Sequence, residues 1–131
     1  MSSISENPIT SSARSRLALL DVIHRKPGMF WGPSDYPFTS LVAFLSGHQC
    51  GFAAAQHGAE LVPDGLITEG FAKFVTERFG RTYPDGGRGW QMIIREHTAN
   101  EREAFELFFS LQHEFERLTG NTPVVIDSLL T

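Results

Sequence analysis

Asn100-Glu101-Arg102-Glu103-Ala104-Phe105-Glu106-Leu107-Phe108-Phe109-Ser110-Leu111-Gln112-His113-Glu114-Phe115-Glu116-Arg117-Leu118 is the stretch that decides the fold class. Ala104, Leu107, Phe108, Leu111, Phe115 and Leu118 recur at spacings of three and four, the period of one helical face, and Phe105 and Phe109 widen the stripe. Asn100 offers an N-cap and Glu103, three residues on, a partial capping box. Gly120 and Pro123 end the helix, leaving Val124 to Leu130 as an apolar tail. A helix this strongly patterned is expected at the centre of the core.

Reading outward, Trp90, Ile93, Ile94 and His97 predict a short helix, and Phe71, Phe74, Val75 and Phe79 another that stops at Gly80. Between them Arg81 to Gly89, with Pro84, Asp85 and three glycines, reads as the most open loop and the best candidate for mobility. Leu41, Phe44, Leu45, His48 and Phe52 mark a helix opened by Thr39 or Ser40 and broken by Gly58 and Pro63. Ser11 or Ser12 caps a first helix running to about Arg25, with Ala13, Leu17, Leu20 and Ile23 or His24 on one face. Pro27 ends it, Gly28 permits the turn that follows, and Met29, Phe30, Trp31, Tyr36 and Phe38 make residues 29 to 38 too apolar for a free loop. Pro27, Gly28, Trp31 and Gly32 are the structural turn, with Trp31 expected to anchor on the second or last helix. The whole predicts an all-α, compact single-domain bundle of about five helices over residues 12–131, preceded by a flexible N-terminus, residues 1–11. Leu45, Phe74, Trp90, Phe108 and Leu111 are expected in its interior.

The composition supports one core and excludes several functions. With 131 residues, 41% hydrophobic content and eleven Phe, one domain can bury enough apolar surface without disulfides or a structural metal. The single Cys50 forbids an intramolecular disulfide and fits a reducing compartment. The polar start lacks the basic and apolar regions of a signal peptide, and the apolar runs are too short to span a bilayer, so a soluble cytoplasmic protein is expected, with no membrane partner. A net charge of −4 argues against binding nucleic acid, which needs clustered Lys and Arg.

Four groups of residues invite a chemical reading. Ala43, Gly47, Gly51 and Ala55 stand four apart and form a smooth helical groove, read first as a surface for close intramolecular helix packing. His48, Cys50 and His57 suggest a metal or thiol site, but positions 48 and 50 point about 200° apart on a helix, and no further ligand motif accompanies them. His24, His97 and His113 read as satisfied or solvated side chains. No metal, cofactor or catalytic set is therefore expected. Glu101, Glu103, Glu106, Glu114 and Glu116 outnumber Arg102 and Arg117 on the last helix and give it an acidic outer face. Most such faces are only solvated; the sharper reading is that Glu103, Glu106 and Glu114, with Asp85 and Glu96, dock a basic partner.

Arg25-Lys26-Pro27-Gly28-Met29-Phe30-Trp31-Gly32 resembles the turn after the first helix of gyrase B type ATPases, but the following helix lacks the magnesium-binding Asn and no Asp-x-Gly-x-Gly box follows. A wider resemblance runs from Lys26 to Gly32, through Ser40-Leu41 to Gly47-His48, Phe71 to Gly80, Gly89-Trp90 and Ala104 to Leu111. In that order these pieces are similar to small bacterial proteins with an Arg-Pro-x-Met-Tyr-x-Gly turn, some resembling immunity proteins encoded beside polymorphic or secretion-system toxins. The resemblance implies a non-catalytic, toxin-neutralising binding protein whose partner is a cognate toxin or other basic protein. It carries no catalytic residue, and Lys26 and Phe30-Trp31 depart from its turn pattern. The alternatives are an oligomer-forming structural or adaptor subunit using the apolar tail and small-residue groove, or a small enzyme built on His48, Cys50, His57 or His97 with a carboxylate.

Overall fold

A computed structural model describes residues 11–55, 67, 70–86 and 88–120, with side chains in the first stretch placed from Arg16 to Cys50. The expectations for residues 1–10, for the break at Gly58 and Pro63, for Phe52 and His57 and for the apolar tail lie outside the described residues. The fold is all-α: α1 (Ser11–Arg25), α2 (Gly28–Trp31), α3 (Pro37–Ala55), α4 (Phe71–Arg78), α5 (Trp90–Glu96) and α6 (Glu101–Leu118). The helix beyond the expected five is α2, a single turn.

Pro27 explains the extra turn. It closes α1 after Lys26 N–H bonds to the Val22 carbonyl at 2.8 Å, and its own helical φ of −59° then starts α2, whose Phe30 N–H reaches the Pro27 carbonyl at 2.9 Å. A missing N–H costs nothing at a helix start. The chain leaves α2 through Gly32 at φ +74°, whereas Gly28 has an ordinary helical geometry, so the conformational need falls on Gly32 and not on Gly28. The same rule moves the start of α3 to Pro37, two residues before the expected cap, with Ser40 N–H bonded to the Tyr36 carbonyl at 2.9 Å.

Helix α6 is the centre of the core. Asn100 Oδ1 accepts from Glu103 N–H at 2.8 Å, and Glu103 Oε1 reaches back to Ala99 N–H, also at 2.8 Å, one residue beyond the usual box partner. Its buried stripe is broader than the expected one and turned from it: Phe105 and Phe109 are fully buried, Leu107 is half-buried, and Leu118 is 70% exposed. The cause is packing on more than one side: α3, α4 and α5 all pack on α6, and His24 of α1 covers Phe105 and Phe109, with ring centroids 5.8 and 4.2 Å away. Phe71 of α4 and Trp90 of α5 meet at 5.5 Å, and both reach Phe108, at 5.6 and 5.2 Å. Leu45, Phe108 and Leu111 are buried as expected, whereas Phe74 and Trp90 are half-buried at the margin of this cluster.

α1 lies along α6 in the opposite sense, because Arg16 pairs with Glu116 and His24 with Glu106. Trp31 packs between Phe44 of α3 and Phe105 of α6, with ring centroids 6.1 and 6.5 Å away. No described helix is long and apolar enough to cross a membrane.

Candidate partner-binding surface

Successive residues of a helix turn by about 100°, so Glu103, Glu106, Ser110 and Glu114 fall within one sector of α6 and extend over about 16 Å, with Arg117 in the same sector at its C-terminal end. Glu103, Glu106 and Ser110 are exposed, and Glu114 is at the edge of that sector with its side chain 38% exposed. Each carboxylate is tethered. Glu103 holds Ala99 N–H, Glu106 accepts from His24 Nε2 at 2.8 Å and faces Arg102 at 3.5 Å, and Glu114 accepts from Arg78 Nε at 3.2 Å. Exposed pairs of this kind stabilise a fold by about 0–1 kcal/mol. They fix side-chain direction, and an ionised carboxylate still has lone pairs for another donor.

Glu101 and Glu116 do not belong to this stripe. Glu101 closes the junction of α3, α5 and α6, accepting from Arg95 at 2.6 Å, from Thr39 N–H at 2.8 Å and from the Thr39 hydroxyl at 3.0 Å. Desolvation pushes its carboxyl up, but the Arg95 and Thr39 hydrogen bonds and the Arg95 charge outweigh that and hold it below the ordinary range. Glu116 is 1% exposed, buried against Arg16, whose Nη2 donates to it at 3.2 Å, and against Gln112, whose Nε2 donates at 2.7 Å. The expected acidic outer face therefore loses one member to the interior. The signal was present in the sequence: Phe105, Phe109, Gln112 and Glu116 share one helical line.

Asp85 and Glu96 are drawn together by Arg81 and Arg88. Arg81 reaches Asp85 at 3.2 Å and Glu96 at 3.5 Å, and Arg88 reaches Glu96 at 3.1 Å and Asp85 at 3.6 Å. Two acids and two guanidiniums leave this cluster electrically balanced. The loop read as open is thus closed by charge, with Arg88 N–H also bonded to the Asp85 carbonyl at 3.0 Å.

The other candidates separate. His48 is half-buried beside Phe44, with ring centroids 6.3 Å apart, and Cys50 is exposed. His97 Nδ1 donates to the Ile93 carbonyl at 2.8 Å and its ring stacks on Phe79 at 4.2 Å. Among the described residues, no three His, Cys, Asp or Glu side chains come together as metal ligands. Ala43, Gly47 and Gly51 are exposed, and a Cβ added at either glycine meets no atom within 4 Å, so this stripe is not an intramolecular packing surface among the described residues. An open groove of about 430 Å³ lies between α3 and the start of α5, walled by Val42, Leu45, Ile67 and Trp90, with Gln49, Cys50 and Gln91 also lining it. Compared with protein-family models, curated proteins and solved structures, the chain matches none.

Proposed function

We propose that this chain is a non-catalytic binding protein that neutralises a basic protein toxin in the cytoplasm by forming a stoichiometric complex with it. The observation that carries the reading is the alignment of Glu103, Glu106 and Glu114 on one stripe of the capped α6. A basic surface facing this stripe meets carboxylates whose directions are already restricted, so less side-chain entropy is lost on association. Opposite charge along the stripe raises the encounter rate and fixes orientation. Asp85 and Glu96, held in a balanced cluster, contribute position more than attraction. The resemblance to immunity proteins points the same way.

The test is co-expression with the product of the adjacent gene. That product is expected to be toxic alone, to be neutralised by this chain and to co-purify with it at a fixed ratio. A harmless product, or a toxic one that is neither bound nor neutralised, rejects the reading.

A further inference from the structure

Two histidines meet on the seam between α1 and α6. The His24 ring lies flat on Phe109 with centroids 4.2 Å apart, and its Nε2 donates to Glu106 Oε1 at 2.8 Å. The His113 ring stands edge-on to it, 6.3 Å between centroids, and is half-buried. The carboxylates acting on this pair from the two helices are Asp21, Glu106 and Glu116, and each is already bound to a guanidinium: Asp21 to Arg25, Glu106 to Arg102 and Glu116 to Arg16. Arg117 adds a further positive charge on the His113 side.

This arrangement resists a charge on His113. A charge on His24 is met by Glu106. A charge on His113 arises in a half-buried place beside His24 and Arg117, where every acting carboxylate named above is committed elsewhere. Desolvation, then the His24 and Arg117 charges, accordingly hold the His113 ring below the ordinary histidine range against the opposing pull of Asp21 and Glu116. We propose that His24 and His113 form a proton-operated latch, which keeps the C-terminal half of α1 on α6 while His113 is neutral and releases it when His113 takes a proton. The far end of α1 stays pinned by Arg16 and Glu116, so release loosens the segment that leads into α2 and Trp31.

The sign follows from linkage. The unfolded or released chain binds the His113 proton more readily than the closed seam does, so the contribution of the seam is complete above the unfolded-state pKa of histidine. It is lost as pH falls through the folded one. Amide protection factors across residues 17–25 are therefore expected to fall by about tenfold relative to α3 between about pH 8 and about pH 5, the order of effect of one like-charge pair at this separation. In a Trp90→Phe background, Trp31 emission should shift toward that of exposed tryptophan over the same range. His113→Gln should flatten both profiles, and His113→Phe serves the same purpose if the amide packs poorly. A flat profile in the native chain, an unchanged fall in the His113 variants, or a fall shared equally by α3 and α6 overturns the latch. So does an NMR titration of the native chain in which His113 protonates at or above the pH of an unfolded-chain histidine, a measurement that needs no variant.

Discussion

Glu116 is the residue whose environment departs most from its type. Taking a carboxylate and a guanidinium out of water costs several kcal/mol per ion, and Arg16 and Gln112 together return enough only while the set is complete. Glu116→Leu is therefore expected to destabilise the fold by about 3–5 kcal/mol in urea unfolding, because it strands a buried guanidinium. Arg16→Met combined with Glu116→Leu should recover most of that loss, since an apolar pair of similar size replaces two desolvated charges. A double variant no more stable than the single one would mean that the pair itself, and not the stranded charge, sets the cost. Glu101 makes the complementary case at the surface. Its carboxyl is held down in the folded state, so its contribution is present above the unfolded-state pKa and fades as pH falls through the folded one. Denaturation midpoints followed from neutral to acid pH should show a shallower acid limb in Glu101→Gln than in the native chain.

Among the elements, α6 is the most legible and the one-turn α2 the least, and the small-residue stripe of α3 is the pattern most easily misread. A run of apolar residues at helical spacing with an asparagine cap left little freedom for α6, and its start at Glu101 agrees with the cap. What periodicity could not supply was which neighbours would cover it. Because α1 covers one flank, Phe105 and Phe109 lie fully inside the buried sector, and Leu118 on the opposite edge is left to solvent. Phe108 touches Phe71, Trp90 and Phe109. Phe108→Ala should accordingly cost about 3–5 kcal/mol through the cavity it leaves, measured by urea unfolding. The error on α3 was one of direction. Four small residues in register look like a place where another helix comes close, yet among the described residues no atom lies within 4 Å of a Cβ placed at Gly47. Gly47→Ala should then raise stability by about 0.5–1 kcal/mol by restricting the unfolded chain, with no clash against the described residues. A loss of stability would bring back the packing reading. For the candidate surface, the identity of the acidic residues was readable, but their partners were not, because Arg78, Arg81, Arg88 and His24 reach them from other turns and helices.

Across the whole molecule the charges divide into two kinds of surface. Arg81, Asp85, Arg88 and Glu96 cancel within a few ångströms, whereas the α6 stripe lines up three carboxylates with Arg78, Arg102, Arg117 and a histidine beside them. Removing carboxylates from the stripe leaves it net positive toward a basic partner, whereas removing the whole balanced cluster changes no net charge and projects no new potential beyond a Debye length of about 8–10 Å. This separates rate from lifetime in the proposed complex. Glu106→Gln with Glu114→Gln should slow association and flatten its dependence on salt, while changing dissociation less. Because both glutamates form only exposed pairs, the fold should lose no more than about 1 kcal/mol per site, which a melting curve verifies. Neutral replacement of all four residues in the balanced cluster leaves the net charge untouched and should leave the association rate nearly unchanged, with any effect appearing in dissociation. Stopped-flow mixing at several salt concentrations distinguishes the two sets. Equal slowing by both, or by neither, would mean that the stripe is not what a partner meets first.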